Sequence, residues 1–212
     1  MYFIGPDDKF PPVELADEDG FLAVTRELTI KRILEAYHSG IFPWYSEGQP
    51  VLWWSPDPRM VLFPEKLKIS KSMRPYLNKN KFQVTFNQDF EAVIDHCGKV
   101  FRKGQDGTWI SPDIKRSYLE LHQMGIAISA EVWDNNDLVG GLYGIYLRDK
   151  KIFCGESMFA RASNASKFGL IKMVQKLQNE GVRLIDCQVY TDHLSSLGAE
   201  EIPREEFLEY LK

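Results

Sequence analysis

Apolar and polar positions recur along the chain with two different periods, and these periods predict its helices and strands. Over Leu28–Ser39 the apolar side chains follow helical spacing, with Thr29 as a suitable N-cap and Gly40 as a stop signal. The next stretches, Gly40–Tyr45 and Leu52–Arg59, are dense in aromatic residues and proline. We therefore expect irregular structure there, with regular patterns resuming near residue 64.

The remainder of the chain is predicted to alternate between strands and helices. A meander of strands followed by a helix and one more strand predicts a mixed α/β sheet of the α+β class rather than a uniformly parallel sheet. The predicted strands are Phe82–Phe86, Ile126–Trp133, Leu138–Leu147, Ile152–Gly155 and a last strand that carries Asp186 and Gln188. The predicted helices are Phe90–Cys97, Ser111–Gly125 and Ser163–Gly181.

Two of these predicted strands carry polar side chains that a buried strand would not favour. Asp186 and Gln188 are two positions apart, so they are predicted to point to the same side of their strand. Glu156 stands at the end of the strand that begins at Ile152. Because burying a carboxylate or an amide without a partner costs several kcal/mol, we predict that these three groups form a reaction centre.

Composition narrows the class of protein. Of the 212 residues, 44% are hydrophobic and 13% are aromatic, which is enough for a packed core. No apolar run approaches the roughly 18 residues of a membrane-spanning helix, and the N-terminus lacks the pattern of a secretory signal. The three cysteines, Cys97, Cys154 and Cys187, lack metal-ligand spacing. We therefore expect a cytoplasmic protein with reduced thiols and with neither a metal nor an organic cofactor.

Charge is unevenly distributed. The net charge of −4 does not indicate nucleic-acid binding by the protein as a whole. Between residues 65 and 81, however, six basic residues accompany a single acid, Glu65. This basic run is either a solvated face or a surface that contacts phosphates. Its members are Lys66, Lys68, Lys71, Arg74, Lys79 and Lys81.

The polar centre has no clear nucleophile. The cysteines near it lie on apolar strands, where cysteine is usually a small hydrophobe. A pairing of Ser157 with a histidine, or a metal site that combines Glu156 with Asp186 and His193, stays open without diagnostic spacing. Direct transfer to an amine needs less, because an α-amine has an ordinary pKa of about 8. With an activated ester as donor, the protein must position the amine, accept a proton and stabilise the tetrahedral intermediate.

Nine short runs, in order along the chain, resemble those of bacterial leucyl/phenylalanyl-tRNA–protein transferases. The resemblance extends from about Phe21 to Leu211, and several of the motifs are individually uncommon. The runs are Gly40–Trp44 (GIFPW), Leu52–Arg59 (LWWSPDPR), Gly107–Ile110 (GTWI), Glu131–Trp133 (EVW), Leu138–Gly141 (LVGG), Phe153–Phe159 (FCGESMF), Asn164–Lys167 (NASK), Leu184–Val189 (LIDCQV) and Ser196–Ala199 (SLGA).

The resemblance implies an enzyme that moves Leu or Phe, with Met as a further candidate, from aminoacyl-tRNA to the N-terminal Arg or Lys of a protein. That transfer marks the acceptor for degradation by the N-end rule. The resemblance also implies a small N-terminal domain, residues 1–62, and an acetyltransferase-like (GNAT) catalytic domain, residues 63–212. We expect a monomer that needs no cofactor.

The same resemblance implies roles for individual residues. Trp44 and Trp109 are expected to contact the terminal adenosine, because stacking on an aromatic ring stabilises a base by about 1–3 kcal/mol. Asp186 and Gln188 are expected to orient and deprotonate the incoming α-amine, and Glu156 to assist acceptor binding or proton transfer. The basic run becomes a candidate contact for the acceptor stem. Four residues, Leu142, Phe153, Met158 and Leu170, are expected to form an apolar pocket for the transferred side chain, and Tyr118 and Ser157 to complete the polar centre.

Two departures and two competing functions accompany this interpretation. Thr25–Leu28 (TREL) stands where the family usually has Gly-Gly-Asp-Leu, and the chain ends earlier, at Lys212, than many members. An acyl-CoA-dependent N-acyltransferase is one alternative, although the chain lacks a glycine-rich pyrophosphate turn. A tRNA-binding protein without catalytic activity is the other.

Overall fold

The computed structural model describes residues 2–100 and 109–212, and two sheets organise them. The strands are β1 (Tyr2–Phe3), β2 (Phe21–Thr25), β3 (Phe42–Pro43), β4 (Val51–Trp54), β5 (Arg59–Leu62), β6 (Gln83–Phe86), β7 (Ala127–Asp134), β8 (Asp137–Leu147), β9 (Ile152–Ala160), β10 (Leu184–Gln188) and β11 (Glu200–Ile202). The helices are α1 (Ile30–His38), α2 (Arg74–Asn78), α3 (Phe90–Gly98), α4 (Pro112–Gln123), α5 (Ala165–Asn179), α6 (Asp192–Ser195) and α7 (Arg204–Tyr210).

The larger sheet has seven strands in the order β11-β5-β10-β9-β8-β7-β6, and the smaller has four in the order β1-β2-β4-β3. Neighbouring strands of the larger sheet are antiparallel except for β9 and β10, which run parallel because α5 crosses between them. The predicted mixed α/β class is therefore confirmed.

Most of the predicted elements are present, and their local signals explain their bounds. Helix α1 begins after Thr29, whose hydroxyl oxygen accepts from the amide of Arg32 at 3.2 Å, and it is followed by Gly40 at φ +75°. Ser111 caps α4 in the same way by accepting from the amide of Ile114. In both helices the capping residue stands where the sequence pattern places it.

Two expectations about regular structure were wrong. The aromatic segments around Gly40–Tyr45 and Leu52–Arg59 contribute β3, β4 and the first residue of β5 rather than irregular chain. Strand β9 continues to Ala160, so Glu156 lies inside the strand and not at its end. In each case pairing with a neighbouring strand decides the outcome, and no local pattern reports that pairing.

The chain passes from the small sheet to the larger one between Trp54 and Arg59, whereas the expected domain boundary is at residue 62. Strand β5, inside the expected N-terminal domain, pairs with β10 and β11 of the larger sheet. The two sheets also share one apolar core, which joins Ile33 and Trp53 of the N-terminal part to Tyr118 of α4 and Tyr143 of β8. No helix among the described residues is long and apolar enough to cross a membrane.

Candidate active site

The main cleft opens where β9 and β10 separate. These strands pair in parallel only from Leu184 opposite Ile152 to Asp186 opposite Cys154. Beyond that point the pairing stops, with β10 ending at Gln188 and β9 continuing to Ala160. Residues of both strands line the cleft there, which has a volume of about 550 Å³. This volume lies within the range of small-molecule sites, about 300–1,000 Å³. The local end of strand pairing therefore creates the site.

Seven of the eight residues predicted to bind substrate line this cleft. Trp44, 40% exposed, reaches it from the small sheet, where its carbonyl oxygen accepts from the indole of Trp54 at 2.7 Å. Tyr118 is the exception, because it is fully buried and reaches the site only through its hydroxyl group. The other six lining residues are Trp109, Leu142, Phe153, Ser157, Met158 and Leu170. Gly107 and Thr108 of the GTWI run lie outside the described residues.

Glu156 is the centre of a network of hydroxyl and amide groups on the floor of the cleft. Its Oε1 accepts from the hydroxyl of Tyr37 at 2.6 Å and from the side-chain amide of Gln188 at 3.1 Å. Its Oε2 accepts from the hydroxyl of Tyr118 at 3.0 Å. The two tyrosine oxygens are themselves only 2.7 Å apart. Residues from α1, α4, β9 and β10 thus meet at one carboxyl group.

Burial raises the pKa of Glu156 from 4.5 to about 7, against the opposing effect of the tyrosine hydrogen bonds. The number of protons available to the network also favours a protonated Glu156, and so a raised pKa. Three short oxygen contacts join Glu156, Tyr37 and Tyr118, but the two hydroxyls carry only two protons. A proton on Glu156 allows all three contacts to be hydrogen bonds. The carboxyl group can therefore both bind and release a proton near neutral pH.

Asp186 lies beneath this network in a buried ion pair. Its two carboxylate oxygens accept from Nε and Nη2 of Arg59 at 2.8 and 2.7 Å, and both side chains are about 1% exposed. The guanidinium group also donates to the carbonyl oxygen of Gly40 at 3.2 Å and lies between the rings of Phe42 and Phe207, 4.9 and 4.7 Å from their centroids. Such a bidentate pair fixes the orientation of the carboxylate.

Asp186 and Gln188 contact each other, but not through the simple alternation of side chains along a strand that was predicted. Strand β10 has a register shift between the two residues, and Gln188 adopts the left-handed region at φ +66°. As a result the backbone amide of Gln188 donates to Oδ1 of Asp186 at 2.9 Å while its side chain reaches Glu156. A bulge of this kind redirects a side chain next to a site. Asp186 is not on the cleft wall, whereas Glu156 and Gln188 are.

Sequence reasoning missed Tyr37 and Arg59 as site residues. Tyr37 was part of the apolar stripe of a helix, and Arg59 closed an aromatic motif. A tyrosine hydroxyl on an apolar stripe needs a polar partner, and an arginine beside a run of buried strand residues needs a carboxylate. Those requirements were the available signals, but neither identifies the partner.

The basic run lies outside the cleft. All six of its side chains are exposed on the segment that includes α2, and none lines the cleft. Lys66 pairs with Glu200, and Lys81 pairs with Asp134 at 2.9 Å. The other four, Lys68, Lys71, Arg74 and Lys79, make no ion pair with any described residue.

Other chemistry finds little support in this part of the molecule. No group of three or more His, Cys, Asp or Glu side chains among residues 2–100 and 109–212 could hold a metal ion, so Glu156, Asp186 and His193 do not form one. Burial raises the pKa of the Cys154 thiol well above its ordinary value, with the charge of Asp186 adding to the effect. A thiol held in its neutral form is a poor nucleophile.

Comparisons with known proteins show the family of the chain. Residues 61–212 match the family described as leucyl/phenylalanyl-tRNA protein transferase, and residues 26–57 match the N-terminal domain of the same family. A leucyl/phenylalanyl-tRNA–protein transferase of Christiangramia forsetii is 74% identical over 211 residues, covering 100% of both chains. One of Flavobacterium johnsoniae is 55% identical over 212 residues, covering 100% of this chain and 99% of that protein. A solved GCN5-related N-acetyltransferase from Kribbella flavida superposes with a TM-score of 0.40 at 10% identity, covering 79% of this chain and 59% of that one.

Because these sequence matches extend over nearly the whole chain, they show that it is an aminoacyltransferase. Within that class, it belongs to the leucyl/phenylalanyl-tRNA protein transferase family.

Proposed function

We propose that this enzyme transfers Leu or Phe from aminoacyl-tRNA to the α-amino group of proteins that begin with Arg or Lys, and so marks them for degradation by the N-end rule. The observation that carries the proposal is the Glu156 network at the floor of an apolar cleft. An amine acceptor needs a group that takes up a proton near neutral pH, and burial brings the pKa of Glu156 to about 7.

The cleft supports a donor with an apolar aminoacyl group. Leu142, Phe153, Met158 and Leu170 line it with flexible or aromatic side chains and offer no hydrogen-bonding group. A side chain such as Leu or Phe gains about 25 cal/mol for each Å² of apolar surface that it removes from water there. We propose that Trp44 and Trp109 stack on the terminal adenosine, since Trp44 is both exposed and held in place by Trp54.

We assign separate roles to the three polar residues. Glu156 accepts the proton that the α-amine loses on attacking the ester carbonyl, and it returns this proton to the ribose oxygen that leaves as the ester bond breaks. Tyr37 and Tyr118 stabilise the charge that Glu156 carries between turnovers. Gln188 orients the amine through its side-chain amide, which also donates a hydrogen bond to Glu156. Asp186 acts as a positioning residue, because its carboxylate is closed off by Arg59 and contacts Gln188 only through the backbone. Ser157 completes the polar wall.

The preference for a basic acceptor follows from charge. A carboxylate that ionises near neutral pH favours an acceptor with a guanidinium or ammonium group over one with a neutral side chain. We further propose that the enzyme is a monomer and acts in the cytoplasm, where charged tRNA is made, and that the basic run contacts the acceptor stem.

The direct test is transfer of labelled Leu or Phe from tRNA to peptides that begin with Arg, Lys or Ala. We expect transfer to the first two and little to the third, with no requirement for acetyl-CoA. Transfer to all three alike would refute the acceptor assignment. Binding of charged and uncharged tRNA alike without any transfer would instead favour a non-catalytic tRNA-binding protein.

A second test separates the roles of Asp186 and Glu156. Asp186→Ala should lower kcat because Gln188 loses the acceptor of its backbone amide. The pH at which activity rises should also fall, because the charge of Asp186 contributes to the raised pKa of Glu156. Wild-type rates in Asp186→Ala would contradict the positioning role. Loss of the pH dependence of activity in Asp186→Ala together with its retention in Glu156→Gln would reverse the two assignments.

A further inference from the structure

A second groove lies between helix α5 and the edge strand β6, outside the cleft. Its volume is about 440 Å³, and its lining includes Phe82, Phe86 and Phe168 together with Lys172 and Lys176. We call it the lysine groove. Strand β6 pairs with β7 on one side and with no other described strand, so the groove is open along that edge.

The lysines of this groove are held over aromatic rings. The ammonium nitrogen of Lys172 is 5.7 Å from the ring centroid of Phe168, and that of Lys176 is 5.5 Å from the ring centroid of Phe86. At the nearby end of the groove Lys81 lies 5.4 Å from the ring centroid of Phe82. These contacts hold the ammonium groups in fixed places and cover the rings. The faces of these rings therefore contact ammonium groups and are not open for a ligand to stack on.

The charge of the groove is positive. Lys172 and Lys176 line it, Lys79 and Lys81 are the sequence neighbours of its lining residue Asn80, and two carboxylates pair with these lysines. Asp134 pairs with Lys81, and Glu180 pairs with Lys176. Neither Lys79 nor Lys172 makes an ion pair with a described residue. Fixed ammonium groups in excess of carboxylates suit a partner with repeated negative charges.

Helix α5 connects this groove to the cleft. Ser166 and Leu170 of the helix line the cleft, and Lys172 and Lys176 line the groove. At 1.5 Å of rise per residue, the two lysines lie about 9 and 15 Å along the helix axis from Ser166. With one phosphate per 3.4 Å of axis in each strand of a duplex, this distance corresponds to about three to four nucleotides. A polynucleotide whose 3′ end occupies the cleft needs at least this many nucleotides to reach the groove, because Lys172 and Lys176 project from a different face of α5 than Ser166 and Leu170.

We propose that the lysine groove binds the phosphate backbone of the donor tRNA near its acceptor end, through Lys172 and Lys176. The proposal rests on the proposed function, since it takes the 3′ end of the donor to be in the cleft. It adds a contact on α5 to the basic run of residues 66–81. An acidic peptide pairing with the free edge of β6 is the competing occupant.

The test compares two donors with the double variant Lys172→Gln/Lys176→Gln. With aminoacyl-tRNA, we expect KM to rise and the slope of log KM against log salt concentration to fall by about 1.4–1.8, because about 0.7–0.9 is expected for each lost phosphate contact. With aminoacyl-adenosine, which lacks the phosphate backbone, kcat/KM should stay unchanged. Lys9→Gln/Lys31→Gln makes the same change of charge on the N-terminal part and should leave both donors unaffected.

Three outcomes would overturn the proposal. They are an unchanged salt slope with aminoacyl-tRNA, an equal loss with both donors, and a change confined to the KM of the acceptor peptide, which would favour a peptide at β6. Failure of the wild type to transfer from either donor would instead refute the proposed function itself. The two failures are therefore distinguishable.

Discussion

Replacing Glu156 by glutamine separates the proton affinity of this site from its shape. Glutamine keeps the size of the side chain and an oxygen that can accept from Tyr37, but it binds no proton near neutral pH. In the wild type, burial raises the pKa of Glu156 from 4.5 to about 7. Between these two values the folded protein holds a proton that the unfolded chain has released. The free energy of unfolding of the wild type should therefore fall as pH rises through this range.

The size of the effect follows from the same values. At 1.36 kcal/mol for each pKa unit, the full difference amounts to about 3 kcal/mol, most of it between pH 5 and 8. The free energy of unfolding in urea is to be measured for the wild type and for Glu156→Gln at pH 5, 6, 7 and 8. As pH rises over this range, we expect the stability of the variant to increase by about 2–3 kcal/mol relative to that of the wild type. Glu120→Gln, the same substitution at an exposed position of α4, is the control.

Activity should change in the opposite direction to stability, both with the substitution and with rising pH. Loss of the proton acceptor should lower kcat of Glu156→Gln by about 10²–10⁴-fold, and the wild-type rate should increase with pH up to about 7 as Glu156 ionises. Parallel stability curves for the wild type and Glu156→Gln would refute the raised pKa. A shifted stability curve combined with wild-type activity would leave the pKa intact but remove Glu156 from the reaction.

Three further predictions concern the ion pair, the close contact between β8 and β9 at Gly144 and the adenosine contact. Arg59→Met leaves Asp186 buried without its partner and should lower the free energy of unfolding in urea by about 3–5 kcal/mol. Adding Asp186→Leu should restore much of that loss, and equal stability of the two variants would contradict the argument. Gly144→Ala places a methyl group against the backbone carbonyl oxygen of Cys154 and 2.6 Å from the ring of Phe153, and it should cost about 1–3 kcal/mol, measured by thermal unfolding. Gly98→Ala, with 3.8 Å to its nearest neighbour, should cost little. Trp44→Leu should weaken donor binding by about 1–3 kcal/mol in steady-state kinetics with aminoacyl-adenosine, and an unchanged KM would argue against stacking.

Helices and strands with strong local signals were predictable from the sequence. The cap at Thr29 and the left-handed Gly40 define α1 through interactions within a few residues, so its bounds follow from local chemistry. The short strands β3 and β4 were not predictable in the same way. Their aromatic and proline residues disfavour regular structure locally, and only pairing within the small sheet makes them strands.

The residues of the candidate site were also only partly predictable from the sequence. Glu156, Asp186 and Gln188 were predicted to form one polar centre because unpartnered polar groups in strands are costly, and the structure brings all three into contact through hydrogen bonds. Their partners could not be predicted. Tyr37 is 119 residues from Glu156 in sequence and Arg59 is 127 residues from Asp186, and a pattern along the chain carries no information about such pairs.

The sequence by itself determined the mixed α/β class, the family and the identity of the polar residues, because these depend on local periodicity, motif content and the cost of burying charge. Tertiary structure alone decided which carboxyl group faces the cleft. The bulge between Asp186 and Gln188, with Arg59 enclosing one carboxylate, leaves Glu156 as the acidic group on the cleft wall beside Gln188. Its raised pKa has the same origin, since burial is a property of the assembled fold and not of any residue in it.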